Sequence, residues 1–287
     1  MLGIKKKSIF LVACLSLFVI FQSEAQEIID GFMKKPGEGT LAVSYSYERY
    51  DEFKFGTMKL DAPPPVGGSV TTQSLGVFAD YGFSDRINVV LNMPYIRVQG
   101  SGNEEERDQN MGGFQDVSAY VKWRPFELKM ESGYLTVLGV VGFSTPLSAY
   151  EADDLLSIGN GATTGLIKGL VQYKWNTGLF ANIQGGYGVR NNNAPSAVVL
   201  SGKVGYAATN FYIDACVLSQ FSDPDAPDIM RPDIPFYETR VNFTQFGVNG
   251  YYPLTSQFGV SLSFFQYLSA RNTSLSTGYS GGVVYGF

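Results

Sequence analysis

Hydrophobic and polar residues alternate with a period of two in repeated segments of about ten residues from Thr40 onward. In SLGVFADYGF, residues 74–83, Leu75 and Tyr81 fall on one face, whereas Asp80 falls on the other. Successive side chains of a β-strand point to opposite faces. Each such segment therefore predicts a strand with one apolar face and one polar face.

Twelve segments follow this pattern, and the connections between them tend to alternate between short and long. The predicted strands cover residues 40–50, 70–83, 87–98, 113–124, 134–144, 162–175, 179–190, 196–206, 211–221, 237–252, 257–271 and 274–287. An even strand number with short turns at one rim and longer loops at the other is typical of bacterial outer-membrane barrels. A β-sandwich also alternates, but it has less reason to keep its long loops on every second connection. The sequence predicts an all-β fold, a transmembrane antiparallel β-barrel of about 12 strands with up-and-down topology over residues 40–287.

Aromatic residues support this interpretation because they gather where the predicted strands meet the short turns. They are Phe83, Trp123, Trp175, Tyr206, Phe211, Tyr252, Phe258 and Phe287. Such a girdle is expected at a membrane interface. Pairing of the last predicted strand with the first would remove the free edge that lipid does not tolerate. The final Phe287 also resembles the signal that outer-membrane barrels present to the barrel-assembly machinery, which this resemblance implies as a partner.

The first 25 residues have the features of a secretory signal peptide. A lysine-rich start, residues 5–7, precedes an apolar run at 9–21 and small residues before Gln26. Cleavage is expected near Ala25, although Cys14 leaves a lipoprotein signal as an alternative. Residues 26–39 are predicted to form an N-terminal periplasmic segment, and insertion of this segment into the barrel as a small plug is the alternative.

Composition narrows the range of functions. The 287 residues include 33 Gly, 21 Phe and 18 Tyr but no His, and Cys216 is the single Cys after the predicted cleavage. The commonest general base and a Cys-His zinc site are thereby excluded. We expect no enzyme activity, no cofactor and no metal site. An outer-membrane phospholipase, which would use a Ser-His pair, is disfavoured for the same reason.

The charge of the chain argues against nucleic acid as a partner. Its formal net charge is −5, and removal of residues 1–25 leaves 18 basic and 25 acidic side chains. Nucleic-acid binding requires a basic face. The expected partners are outer-membrane lipid and a small-molecule solute.

Three short motifs carry a resemblance to a known family. They are YGFSDRINVVLNMPYI at 81–96, GGFQDVSAYVKWR at 112–124 and GFSTPL at 142–147. The region from Ser74 to Phe287 resembles the outer-membrane proteins of the phenol-degradation MetA-pathway family. The third motif departs from the family, in which a Pro-Thr-Gly arrangement is more usual. This resemblance implies an outer-membrane channel for small, often aromatic or hydrophobic compounds.

If the apolar faces point outward, the charged residues of the polar faces must line the lumen, because Lys or Arg facing lipid costs about 2 to 4 kcal/mol. The candidate pore-lining residues are Asp80, Asp116, Lys122, Arg124, Lys168, Lys174, Arg190, Lys203 and Asp214. They predict a narrow pore whose mixed charges set selectivity. The alternative is an interior packed with paired charges.

The sequence therefore predicts a channel or facilitator in the bacterial outer membrane for the passive uptake of small solutes, with aromatic or hydrophobic compounds among the candidates. The alternative is a structural or adhesive outer-membrane barrel that acts through its extracellular loops without an open pore.

Overall fold

The computed structural model describes residues 29–61, 67–102, 110–229 and 234–287. The predicted signal peptide, residues 1–25, lies outside the described residues. The strands are β1 (Gly39–Tyr50), β2 (Glu52–Phe55), β3 (Met58–Asp61), β4 (Val70–Ser84), β5 (Ile87–Gly100), β6 (Asn110–Phe114), β7 (Asp116–Met130), β8 (Gly133–Pro146), β9 (Thr164–Trp175), β10 (Leu179–Arg190), β11 (Ala197–Ala207), β12 (Tyr212–Ser222), β13 (Asn242–Pro253), β14 (Phe258–Arg271) and β15 (Thr277–Gly286).

The strands close into one antiparallel barrel of 12 positions. From β7 to β15 each strand pairs with the next strand along the chain. Strand β4 pairs with both β1 and β5, β5 pairs with β6 and β7, and β1 pairs with β15. Strands β6 and β7 occupy a single position beside β5, because only Gln115 separates them. Strands β2 and β3 form a separate hairpin in the first long connection. The predicted all-β, up-and-down barrel is confirmed.

The connections divide the barrel into two ends. Turns of two to four residues, at 85–86, 131–132, 176–178, 208–211 and 254–257, lie at the end that we call the short-turn end. The connections at 51–69, 147–163, 191–196, 223–241 and 272–276 lie at the opposite, long-loop end. Closure at the short-turn end is completed by the chain terminus, where Gly39 N donates to Phe287 O at 2.8 Å and Phe287 N donates to Gly39 O at 3.1 Å. The Phe287 ring covers Gly39, so a side chain at position 39 would have to displace this ring.

In the barrel wall, apolar side chains are exposed and polar side chains are buried, which is the reverse of the arrangement in water-soluble proteins. Outward-facing apolar residues are among the most exposed, with Ile183 at 69% and Val141 at 62% of their surface. Inward-facing polar residues are buried, and Lys122 is only 2% exposed. Large contiguous apolar surfaces are unfavourable in water. This wall therefore requires lipid on its outside, as in an outer-membrane barrel.

Two strand boundaries differ from the sequence prediction by more than three residues. Strands β7 and β8 continue to a two-residue turn, because Arg124 and Pro125 form a bulge between Trp123 and Phe126 after which pairing resumes. In the other case, the strand predicted from residue 237 begins at Asn242, and Phe236–Glu238 forms a 3-10 helix. The part of the chain that the structure describes contains no helix long and apolar enough to cross a membrane.

Candidate functional site

The lumen contains a buried lysine that is held by two carboxylates. Lys122 Nζ lies 3.6 Å from Asp80 Oδ2 and 3.7 Å from Asp30 Oδ1, and it donates to Phe32 O at 2.7 Å. Asn88 Nδ2 donates to Asp80 at 2.9 Å. A buried ammonium is tolerated only where such partners replace its hydration. Two of the predicted lumen residues, Lys122 and Asp80, are thus joined to each other, and Lys122 also contacts Asp30 and Phe32 near the N-terminus.

A second charged cluster lies on the wall formed by β11, β12 and β13. Lys203 Nζ lies 3.2 Å from Asp214 Oδ2. The same carboxylate accepts hydrogen bonds from Tyr212 OH at 2.6 Å and from Asn249 Nδ2 at 2.7 Å. Asp214 is 2% exposed, so its charge is balanced within the protein.

The N-terminal residues 29–33, which we call the N-terminal segment, contact the inner face of the barrel. Gly31 N donates to Gln172 Oε1 at 2.9 Å, and Gln184 Nε2 donates to Ile29 O at 2.7 Å. The Phe32 ring packs edge-on against Phe180, with 5.2 Å between centroids. These partners are inward-facing residues of β9 and β10, so this part of the chain occupies the lumen near the short-turn end.

The other predicted site residues lie in different parts of the barrel. Lys174 Nζ is 5.5 Å from the centroid of the Phe32 ring, a cation–π contact with the N-terminal segment. Arg124 lies at the short-turn end, where it donates to Asp85 O and pairs with Glu127.

The remaining three lie deeper or nearer the long loops. Lys168 is 4% exposed on the inward face of β9. Arg190 donates to Pro195 O at 2.9 Å and to Gln220 Oε1 at 3.2 Å. Asp116 accepts a hydrogen bond from Tyr150 OH at 2.6 Å. Among the nine candidates, the structure thus brings together Asp80 with Lys122 and Lys203 with Asp214, whereas Arg124 lies apart from them at the rim.

A chamber of about 420 Å³ lies in the lumen toward the long-loop end. Asp116 and Arg190 line it together with Gln245, whose Nε2 has no hydrogen-bond partner among the described residues although Gln245 is only 3% exposed. This volume is in the range of small-molecule sites.

Apolar side chains also face the lumen, and the sequence analysis missed them. Leu166, Val199 and Leu218 line the chamber and are 4 to 8% exposed. Next to them, Leu138 and Leu170 are equally buried on the inward faces of β8 and β9. For the residues of β9, β11 and β12 the sequence contained the signal, because each shares the parity of a predicted lumen residue in its own strand, as Leu166 and Leu170 do with Lys168. The chamber therefore offers both an apolar wall and polar groups.

An apolar cluster, which we call the loop cap, closes the long-loop end. It consists of Tyr50, Phe53, Val70, Ile96, Val98, Leu156 and Ile158, with Phe55, Met111, Tyr150, Leu155, Ile229 and Phe236 packed against them. Phe53 is 3% exposed, and its ring lies 5.1 Å from Phe55 and 6.2 Å from Phe236. Side chains from three long connections thus meet over the lumen.

Polar contacts hold the loop cap in place. Asp228 accepts hydrogen bonds from Arg240 Nη2 at 3.1 Å and from Arg271, so it joins the 223–241 loop to the end of β14. Burial raises the pKa of Asp228, but hydrogen bonds from Arg271, Asn272 and Arg240 outweigh it and lower the pKa to about 2. Burial and the Asp116 carboxylate raise the pKa of Tyr150, so its hydroxyl stays protonated and donates to Asp116.

Comparison with solved structures identifies the architecture. A crystal structure of an outer-membrane channel from Pseudomonas putida F1 covers 91% of this chain and 100% of its own, with a TM-score of 0.70 and 15% identity. The chain has the barrel fold of that outer-membrane protein. The NanC porin structure matches less closely, over 85% of this chain and 98% of its own, with a TM-score of 0.50 and 11% identity.

The two sequence comparisons found no match. No protein-family profile matches the chain, and no curated protein matches its sequence. The assignment of the barrel fold to a class of known proteins thus rests on structural likeness. Among the described residues, no group of three or more His, Cys, Asp and Glu is arranged to hold a metal ion.

Proposed function

We propose that the protein is an outer-membrane channel for the passive uptake of small solutes. The observation that carries this proposal is the closed barrel whose buried, polar inner face surrounds a chamber of about 420 Å³. Its exposed apolar outer face fits the lipid of the outer membrane. The likeness to an outer-membrane channel from Pseudomonas putida F1 supports the same architecture.

Aromatic or hydrophobic compounds are the solute class that we favour. Leu166, Val199 and Leu218 give the chamber an apolar wall, while Gln245 and Arg190 supply hydrogen-bond donors. An apolar pocket with few polar groups is typical of small-molecule sites. The resemblance of three motifs to the phenol-degradation MetA-pathway family agrees with this class.

Conductance of the purified protein in planar bilayers tests the channel. We expect discrete current steps, and Leu218→Trp should reduce them because the indole would fill the chamber. The matched control is Val217→Trp, since Val217 is 43% exposed on the outer face. Absence of current steps above background would contradict the proposal.

Uptake assays with aromatic acids, sugars and fatty acids, in cells with and without the gene, test the solute class.

A structural or adhesive barrel is the second candidate, and the loop cap favours it. Because apolar residues from three connections pack together at this end, the described parts of the long loops present a defined surface. Deletion of residues 149–159 tests this candidate. Loss of surface binding with unchanged solute uptake would support it, whereas unchanged binding with altered uptake would contradict it.

A further inference from the structure

The N-terminal segment is attached to one side of the lumen. Its hydrogen bonds and ring contacts reach Lys122 of β7, Gln172 of β9, Phe180 and Gln184 of β10, and Tyr212 of β12. Together with β8 and β11, which lie between them, these strands form one half of the barrel wall. The inner face of the other half has a different composition.

Small polar residues cover the inner face opposite the segment. Cross-strand pairing places Gly76, Ser44, Gly282 and Ser261 in one row. The adjacent row consists of Ser74, Ser46, Ser280 and Ser263. We call these eight residues of β4, β1, β15 and β14 the serine–glycine patch. The residues between them, such as Leu75, Val43, Val283 and Leu262, are exposed on the outer face.

A cavity of about 740 Å³ lies between the N-terminal segment and this side of the barrel at the short-turn end. Asp30 and Phe32 of the segment line it together with Phe78 and Val284. Phe78 and Val284 form the next row of the wall toward the short turns, below Gly76 and Gly282. The cavity therefore reaches the lower edge of the serine–glycine patch.

The chamber extends to the strand beside the patch, β5. Pro94 and Asn92 line the chamber, and in the β4–β5 pairing they lie opposite Gly76 and Phe78. Gln245, with its unpartnered Nε2, lies in the chamber wall on β13, next to β14. The patch residues themselves line neither cavity, but they lie on the adjoining wall, on the side of the lumen that the segment does not contact.

We infer that solutes cross the short-turn half of the lumen along the serine–glycine patch, between this patch and the N-terminal segment. This inference rests on the proposed channel function and names the residues that the solute contacts. Serine and glycine leave the most room in the lumen cross-section, and serine hydroxyls replace hydrogen bonds that a solute loses to water. On the opposite wall, Lys122 holds the segment through Phe32 O and Asp30 and does not contact the solute.

Single cysteines in a Cys216→Ala background test the route. Ser280→Cys places a thiol in the patch, and Ser201→Cys places one on β11 beside Gln184, the residue that binds Ile29. Both positions are inward-facing, buried serines, so the two variants are matched. A water-soluble cationic methanethiosulfonate reagent is added to single channels, and labelling is measured by mass spectrometry.

We expect modification of Ser280→Cys to reduce the current at least about twofold and to leave Ser201→Cys unchanged. A current that falls in Ser201→Cys but not in Ser280→Cys would overturn the route, as would an unlabelled thiol at position 280. If the unmodified protein carries no current, the proposed channel function itself fails. If current flows but does not respond at position 280, only the route fails.

Discussion

The two ends of the lumen are obstructed in chemically different ways. At the short-turn end, the N-terminal segment is held mainly by hydrogen bonds from Lys122, Gln184 and its own Gly31. At the long-loop end, the loop cap is held mainly by apolar packing around Phe53. One obstruction is a single stretch of backbone, and the other is shared by three connections.

This difference predicts different responses to perturbation. Each hydrogen bond of the N-terminal segment contributes about 0.5 to 1.5 kcal/mol, so the loss of one bond weakens the contact slightly. Each large apolar side chain of the loop cap contributes more, because its removal leaves a cavity that its neighbours fill incompletely. A single truncation should therefore disrupt the loop cap as a whole, whereas the loss of one hydrogen bond should loosen the N-terminal segment only in part.

Deletion of residues 29–33 should produce the largest change. It removes the backbone that occupies the lumen beside Gln172 and Gln184, so single-channel conductance should rise about threefold or more. Residues 34–38 are kept because Gly37 N donates to Gly82 O at the rim. Unchanged conductance in the deletion variant would show that the segment does not limit the current.

Truncation of Phe53 should have the next largest effect. Phe53→Ala removes a ring that is 3% exposed and should destabilise the loop cap by about 3 to 5 kcal/mol. Limited proteolysis of the long loops measures this loss of protection. Met58→Ala is the control in the same hairpin, since Met58 is 51% exposed. Equal protection in both variants would contradict the apolar origin of the cap.

Acid should loosen the loop cap through Asp228. The pKa of this carboxyl is about 2 in the folded protein, against about 3.9 for an unperturbed Asp. Its contribution is therefore present above about pH 4 and is lost as the pH falls toward 2. Proteolytic or hydrogen-exchange protection of the 223–229 loop should decrease over that range. Asp228→Asn should lower the protection at neutral pH and flatten its dependence below pH 4.

The smallest effect is expected for one hydrogen bond of the N-terminal segment. Gln184→Ala removes the bond to Ile29 O and should cost about 1 kcal/mol, which increases current fluctuations without changing the main conductance. Gln266→Ala is the control, because Gln266 is exposed on the outer face of β14. If both variants fluctuate equally, the segment does not depend on this contact.

The barrel could be predicted from the sequence because lipid imposes a strict alternation on each strand. Leu75 and Asp80 have to face opposite sides wherever the backbone is extended, and their environments differ strongly. The extension of β7 was missed because Pro125 interrupts the alternation. A bulge at this point restores the register, so that Phe126 pairs with Val137.

The site was less predictable, because it depends on contacts between distant parts of the chain. Gln172 binds Gly31, which is 141 positions away, and no local pattern reports such a contact. Leu166 and Leu218 occupy positions on the inward, otherwise polar face of their strands, but they are apolar like the residues of the outer face. Only the closed barrel shows that they surround a chamber.

The long β7–β8 hairpin has a consequence for how the barrel sits in the bilayer. Strand β5 begins at Ile87, which lies opposite Trp123 of β7. In the described chain, the part of β7 from Phe126 to Met130 therefore pairs with β8 on one edge, and its other edge has no neighbouring strand. Amides on an open edge require water. The hydrocarbon layer must therefore end near Trp123 on this flank, even though Phe126, Leu128 and Met130 are apolar. We expect this hairpin to fix the depth of the barrel in the bilayer and to limit its vertical displacement and tilt.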